Sequence, residues 1–187
     1  SLAATNLMGN LGELYRATER FDEAEVLYRK AVAFREQVLD ERHPDLAVFR
    51  HGLGNVLRDQ QRYAEAAALY RQAIDVYAEK MPPQHPHTAV FRANLAFCMF
   101  YLERYDESLA LLLRAYEDLK ASVGEEHAFT LITRRRLARV YETLGRPDEA
   151  ARYRPPPADA PPAPARSPYA QRTDARGPPT DLVARGP

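Results

Sequence analysis

Apolar and small residues along this chain come in paired blocks at helical spacing, with short polar stretches between them. In the first block Leu7, Met8, Leu11, Gly12 and Tyr15 share one helical face; in the second Ala24, Leu27, Tyr28, Ala31 and Val32 do. Residues three and four apart lie on one side of a helix, whereas a half-buried strand would alternate every second residue. The spacing therefore predicts two amphipathic helices. Thr18-Glu19-Arg20 reads as the tight turn between them. Asp22 and Glu23 fall in the first turn of the second helix, where carboxylates favour the free amides and the positive dipole end.

The whole unit then recurs. The second-helix starts at Phe21, Tyr63, Tyr105 and Pro147 stand 42 residues apart, with no insertion or deletion. Leu11, Leu53, Leu95 and Leu137 share that register, each followed by a small residue (Gly12, Gly54, Ala96, Ala138), and so do His43, His85 and His127. Pro44 and Pro86 follow two of these histidines; proline disfavours helix at the residue before it and suits the opening of the next. Self-similarity at such a period is the mark of a solenoid, in which each unit buries its apolar face only against its neighbours. The expected array covers residues 1–154, as repeats of about 5–46, 47–88 and 89–130 and a partial repeat, 131–154, whose second helix stops after about two turns. Seven full helices and a stub are expected, with the curtailed fourth repeat the least stable. From residue 155 to 187 the chain holds ten of its 15 prolines, so it reads as a disordered, Pro-rich tail with polyproline character. Within it Pro161-Pro162-Ala163-Pro164-Ala165-Arg166 fits a ligand string for SH3-like domains, and Ser167-Pro168 is a weaker phosphorylation motif.

The pattern Leu11-Gly12-x-x-Tyr15 followed by Ala24-x-x-x-Tyr28-x-x-Ala31 resembles the tetratricopeptide signature, with Met8 at the position where that family usually has tryptophan. The 42-residue period with its His-Pro connector is similar to the longer variant in kinesin light chains and many bacterial regulatory proteins. Period alone also suits HEAT or armadillo repeats, but the position-specific small and aromatic residues decide for the tetratricopeptide type. The resemblance implies an all-α, right-handed superhelical solenoid of helix-turn-helix repeats. It also implies a protein-binding scaffold whose first helices line a concave groove.

Composition narrows the function classes. Lys+Arg and Asp+Glu are each 26, which argues against a general nucleic-acid or membrane-surface binder. A single cysteine, Cys98, forms no internal disulfide and points to a reducing, cytoplasmic setting; no apolar run approaches the roughly 18 residues of a membrane span. Ser1 opens the chain without methionine, as in a processed product or a piece of a longer protein. Motifs for phosphate loops, dinucleotide folds, zinc proteases, redox pairs and serine nucleophiles are absent, so no enzyme activity and no cofactor is expected within the chain. Cys98, beside Phe97 and Phe100, reads as a structural thiol. The periodic histidines would stand on the order of 10 Å apart on successive repeats, too far to share a zinc ion with ligands at about 2 Å. His85 and His87 could share one loop, and the reading preferred for them is structural.

By the resemblance, the groove candidates are Asn10, Glu13 and Arg16 in repeat one, and His51, Asn55 and Arg58 in repeat two. Repeat three gives Asn94, Phe97 and Tyr101, and repeat four gives Arg135 and Arg139. Asn10 and Asn94 match the asparagine that such repeats use to hold a peptide backbone, while Gly52 and Arg136 break that pattern. Arginines around Phe97, Phe100 and Tyr101 suit an extended peptide that is acidic or bears a carboxylate and has an apolar anchor. Two rivals belong to other classes: a carboxy-terminal regulatory segment of a larger signalling enzyme such as a kinase, and a self-assembly module using the open end of repeat four.

Overall fold

The computed structural model describes residues 1–154; the Pro-rich tail, with its SH3-type string, lies outside the described residues. Among the described residues there are eight helices and no strand. They form four antiparallel pairs: α1 (Leu2–Ala17) with α2 (Phe21–Val38), α3 (Pro44–Asp59) with α4 (Tyr63–Lys80), α5 (Pro86–Tyr101) with α6 (Tyr105–Val123), and α7 (Ala128–Thr143) with the seven-residue α8 (Pro147–Tyr153). Each helix packs on the ones before and after it, and the first helices of neighbouring pairs also touch. The result is an all-α solenoid. No described helix is long and apolar enough to cross a membrane.

The turn inside each pair is built the same way four times. Glu19, Gln61, Glu103 and Gly145 adopt left-handed φ angles of 59°, 63°, 60° and 70°. The next residue then donates its N–H five residues back: Arg20 to Tyr15 O, Arg62 to Leu57 O, Arg104 to Met99 O and Arg146 to Tyr141 O, at 2.8–2.9 Å. These bonds satisfy carbonyls that the helix end would otherwise leave open. The same arginines reach forward to Glu23, Glu65, Glu107 and Glu149 in the first turn of the second helix. Between pairs, the periodic histidines cap helices. The Nδ1 of His43, His85 and His127 accepts the N–H of Asp45, His87 and Phe129 at 3.1, 3.2 and 3.2 Å. Ser1 caps α1 in the corresponding place, accepting from Ala4 N at 3.3 Å.

Packing within a pair depends on a small residue facing a large one. A Cβ at Gly12 would stand 2.8 Å from the Tyr28 ring, and one at Gly54 would stand 2.8 Å from the Tyr70 ring. The second helices cross at residues with no bulk to spare: Ala24, Ala66, Ser108 and Ala150 are all 0 % exposed. Ser108 satisfies its hydroxyl by donating to Ala96 O at 2.7 Å. The buried free thiol of Cys98 belongs to the same core, and burial pushes its pKa up to about 12. It is a packing group.

One packing expectation needs correction. Leu53 and Leu95 are 4 % exposed and Leu137 0 %, but their counterpart Leu11 is 39 % exposed. The first three sit under the second helix of the preceding pair, and among the described residues nothing lies on that side of α1. Leu137→Ala is therefore expected to cost about 2–5 kcal/mol, and Leu11→Ala less than about 1.5 kcal/mol. Urea unfolding of the two variants against the parent reads this difference.

Candidate functional groove

The inner surface of the solenoid holds one large cavity, about 720 Å³, walled by α1, α3, α5 and α7. Of the sequence candidates, Asn10, Glu13, Arg16, His51, Asn55, Arg58 and Asn94 line it. Phe97, Tyr101 and Arg139 line a smaller adjoining recess with Phe100, Leu112 and Val140. Arg135 lines neither and is exposed on α7, although Gly9, His51 and Ala93 at the same register line the cavity. Arg136 lines both.

Most of the groove's polar side chains are already engaged with each other. Glu13 accepts from Tyr28 Oη at 2.7 Å and from Arg16 at 3.0 Å. Arg16 also meets Asp59 at 2.7 Å across the first two repeats, and the other Asp59 oxygen accepts from Arg58 at 2.7 Å. Burial would pull the Arg16 guanidinium down, but Glu13 and Asp59 hold it above its usual range. Arg58 is thus no free surface cation: its side chain is 15 % exposed and it also donates to Asn94 Oδ1 at 3.3 Å. Asn94, a candidate for holding a backbone, is itself tied down. Its Nδ2 lies 3.3 Å from Asn55 Oδ1 and 3.0 Å from His51 Nε2, while Tyr70 Oη donates to the same Asn55 oxygen at 2.8 Å. Asn10 stays exposed in the cavity wall.

Three guanidinium groups here meet two carboxylates. Arg16 and Arg58 share Glu13 and Asp59; Arg136 pairs with no carboxylate among the described residues. Its Nη1 donates to Ala93 O at 2.8 Å and to Asn94 Oδ1 at 3.2 Å, the oxygen that Arg58 also approaches. Burial first, and then the neighbouring Arg58, pulls the Arg136 pKa down to about 10. It stays charged at neutral pH, at an electrostatic cost. Phe97 lies between the two cations, 5.6 Å from Arg58 and 4.9 Å from Arg136. Arg139 covers Phe100 at 4.7 Å and Tyr101 at 5.5 Å, and Tyr101 stacks on Tyr63 at 4.8 Å.

Tyr28 and Phe49 also line the cavity, and the sequence reading missed both because it took the groove from first-helix positions facing inward. Tyr28 reaches in from α2 because Gly52 makes room: a Cβ there would stand 2.3 Å from its ring. The signal was the glycine, which stands in the Asn10–Asn94 register where those two repeats carry asparagine. Arg136 shares that register and faces the groove by pattern; what the sequence does not show is its lack of a carboxylate partner among the described residues.

His51 bonds Asn94, stacks on Phe91 at 4.2 Å, and is pushed down to about 3 by burial and by Arg58. It is neutral in the folded chain and protonates near its ordinary 6.5 when unfolded. Below pH 6.5 the unfolded state binds the extra proton, so this contribution is present above that pH and is lost progressively as pH falls toward 3. The urea midpoint should fall between pH 7 and pH 5, and His51→Gln should make that fall smaller.

Comparison with known proteins places these features in a wider set. The tetratricopeptide repeat family model matches residues 2–79 and 87–153. No curated protein matches the chain. Among solved structures, a kinesin light chain protein of Podosopora anserina with nearly identical TPR-like repeats superposes at TM-score 0.75, with 22 % identity over 82 % of this chain and 72 % of its own. BtubC (BKLC) from P. vanneervenii gives TM-score 0.70 and 25 % identity, over 81 % of this chain and 60 % of that one. The apo form of RapI gives 0.72 at 16 % identity, over 82 % of this chain and 54 % of RapI.

Proposed function

Because this chain belongs to the tetratricopeptide repeat family, we propose that its groove is a protein-interaction site for an extended, acidic peptide, with a ligand carboxylate held at Arg136. The observation that carries this reading is the missing counter-charge. Every other guanidinium on the cavity wall has a carboxylate, and Arg136 has two neutral oxygens. A recessed charge without an ion partner is unfavourable, and a bidentate carboxylate relieves it with short, charge-assisted bonds. Arg58, fixed by Asp59 and Asn94, supports that carboxylate from the side at little further entropic cost.

The ring ledge of Phe97, Phe100 and Tyr101 stands next to Arg136 and offers an apolar seat for a side chain near the acidic one. Asn10, at the other end of the cavity, is exposed and supplies both a donor and an acceptor for the peptide main chain. The chain then acts as a scaffold, holding a partner without chemistry of its own.

Selecting random octapeptides on the full chain, and measuring the selected ones by calorimetry, tests this. The enriched peptides should carry Asp or Glu close to an apolar residue. Arg136→Gln should weaken them by about tenfold or more, the equivalent of roughly 1.5–3 kcal/mol for a charged contact. Raising the salt should shrink the difference between parent and variant. Arg135→Gln, outside the groove, should leave affinity unchanged. Enrichment without acidic residues, or equal binding to the Arg136→Gln protein, would refute the proposal.

A further inference from the structure

Nine large apolar side chains are exposed among the described residues, and four of them, Leu2, Leu7, Leu11 and Leu14, stand on α1. The other five are spread over α2, α5, α7 and the Leu102 turn, as scattered surface residues usually are. On α1, Leu7 is 70 %, Leu11 39 % and Leu14 58 % exposed, at helical spacing of four and three. Glu13 and Arg16, the helix's charged residues, turn to the groove, so the leucine stripe is uncharged.

The chain itself shows three times what covers such a stripe. The corresponding residues are Phe49, Leu53 and Val56 on α3, Phe91, Leu95 and Cys98 on α5, and Thr133, Leu137 and Val140 on α7. All but the half-buried Phe49 are at most 4 % exposed. Leu53 and Val56 are covered by α2 through Ala24 and Tyr28; Leu95 and Cys98 by α4 through Ala66 and Tyr70; Leu137 and Val140 by α6 through Leu109 and Leu112. In each case the cover is the second helix of a hairpin; in the first two a small residue, Ala24 or Ala66, stands one turn ahead of a tyrosine.

We infer that the outer face of α1 is half of an inter-repeat interface, whose other half is the second helix of a further hairpin of this same 42-residue type, joined in register ahead of α1. The cap supports that register. Ser1 holds the place that His43, His85 and His127 hold at the start of the next three pairs, so α1 keeps the register of the other first helices. End-to-end stacking of a second copy does not supply the partner. The far end of the array presents the seven-residue α8, whose exposed residues include Asp148 and Arg152 and no large apolar side chain. This interface is separate from the groove and stands or falls independently of the ligand.

The test is to duplicate residues 1–42 ahead of Ser1, so that a copied α2 meets α1 as α2 meets α3. The urea midpoint should rise by about 0.5 M or more, and the amides of α1 should exchange about tenfold more slowly. Leu7→Asn with Leu14→Asn should leave the parent's midpoint unchanged and abolish the gain in the extended chain. The inference is overturned by an extra hairpin that stays unfolded by circular dichroism, or by α1 amides exchanging at the parent rate. It is equally overturned if the parent sediments as a concentration-dependent dimer that Leu7→Asn dissociates, which would make a second copy the occupant.

Discussion

The ring of Tyr28 occupies a slot that exists only because two glycines line it, Gly12 from its own pair and Gly52 from the next. This close approach of a small first-helix residue to a large second-helix residue is the contact on which the solenoid depends. It repeats at Gly54 with Tyr70, while Ala96 and Leu112 share one core cluster at the same register. With a slot of fixed depth the distance between helices is fixed, and with that distance fixed the next hairpin can add on only one way. Interiors packed to crystal density leave no slack for another arrangement. The groove inherits its shape from the same contact. Tyr28 Oη, carried through the slot, bonds Glu13, and Glu13 in turn fixes Arg16 against Asp59 of the next repeat.

The fold was legible from residue register because everything that determines it is local. Left-handed turn residues, histidine caps and small-to-large pairs all recur at one period, and each needs only its immediate neighbours. Two things were not legible. Whether a register leucine is buried depends on a neighbour's presence, which a periodic pattern cannot convey: Leu11 and Leu137 look alike in the sequence and differ by a whole covering helix. Which arginines are free is the other. Arg58 and Arg136 are both groove-lining positions by pattern, yet Arg58 has Asp59 beside it and Arg136 has only neutral oxygens. Charge availability is a property of the three-dimensional neighbourhood.

Internal pairing within the groove has a consequence for recognition. Long charged side chains lose considerable entropy when a ligand orders them. Arg16, Arg58, Asn55 and Asn94 are ordered beforehand by their mutual bonds, and Phe97 sits between two guanidinium groups that restrict it. An occupant therefore meets a prepared wall that is net positive, set beside apolar rings that carry a further cation, Arg139. Such a wall discriminates by sign more than it attracts at long range, because the chain as a whole carries no net charge.

The fourth pair shows how the array copes when the slot's large partner is missing. The residue in register with Tyr28, Tyr70 and Leu112 is Arg154, which follows the end of α8 and cannot fill an apolar slot. Tyr153, one position earlier, stacks on Tyr141 at 5.7 Å and meets the edge of Tyr116 at 5.6 Å. Ala138 remains only 6 % exposed. A ring from the neighbouring register packs against the last core cluster instead. The last pair differs in a second way: Arg134, at the position of the ion-paired Arg50 and Arg92, keeps a buried Nε without a partner among the described residues and reaches the Arg154 carbonyl instead. The last pair thus keeps its apolar packing and gives up part of its polar satisfaction, the reverse of the groove, where polar satisfaction is nearly complete and the recessed Arg136 is left without a counter-charge.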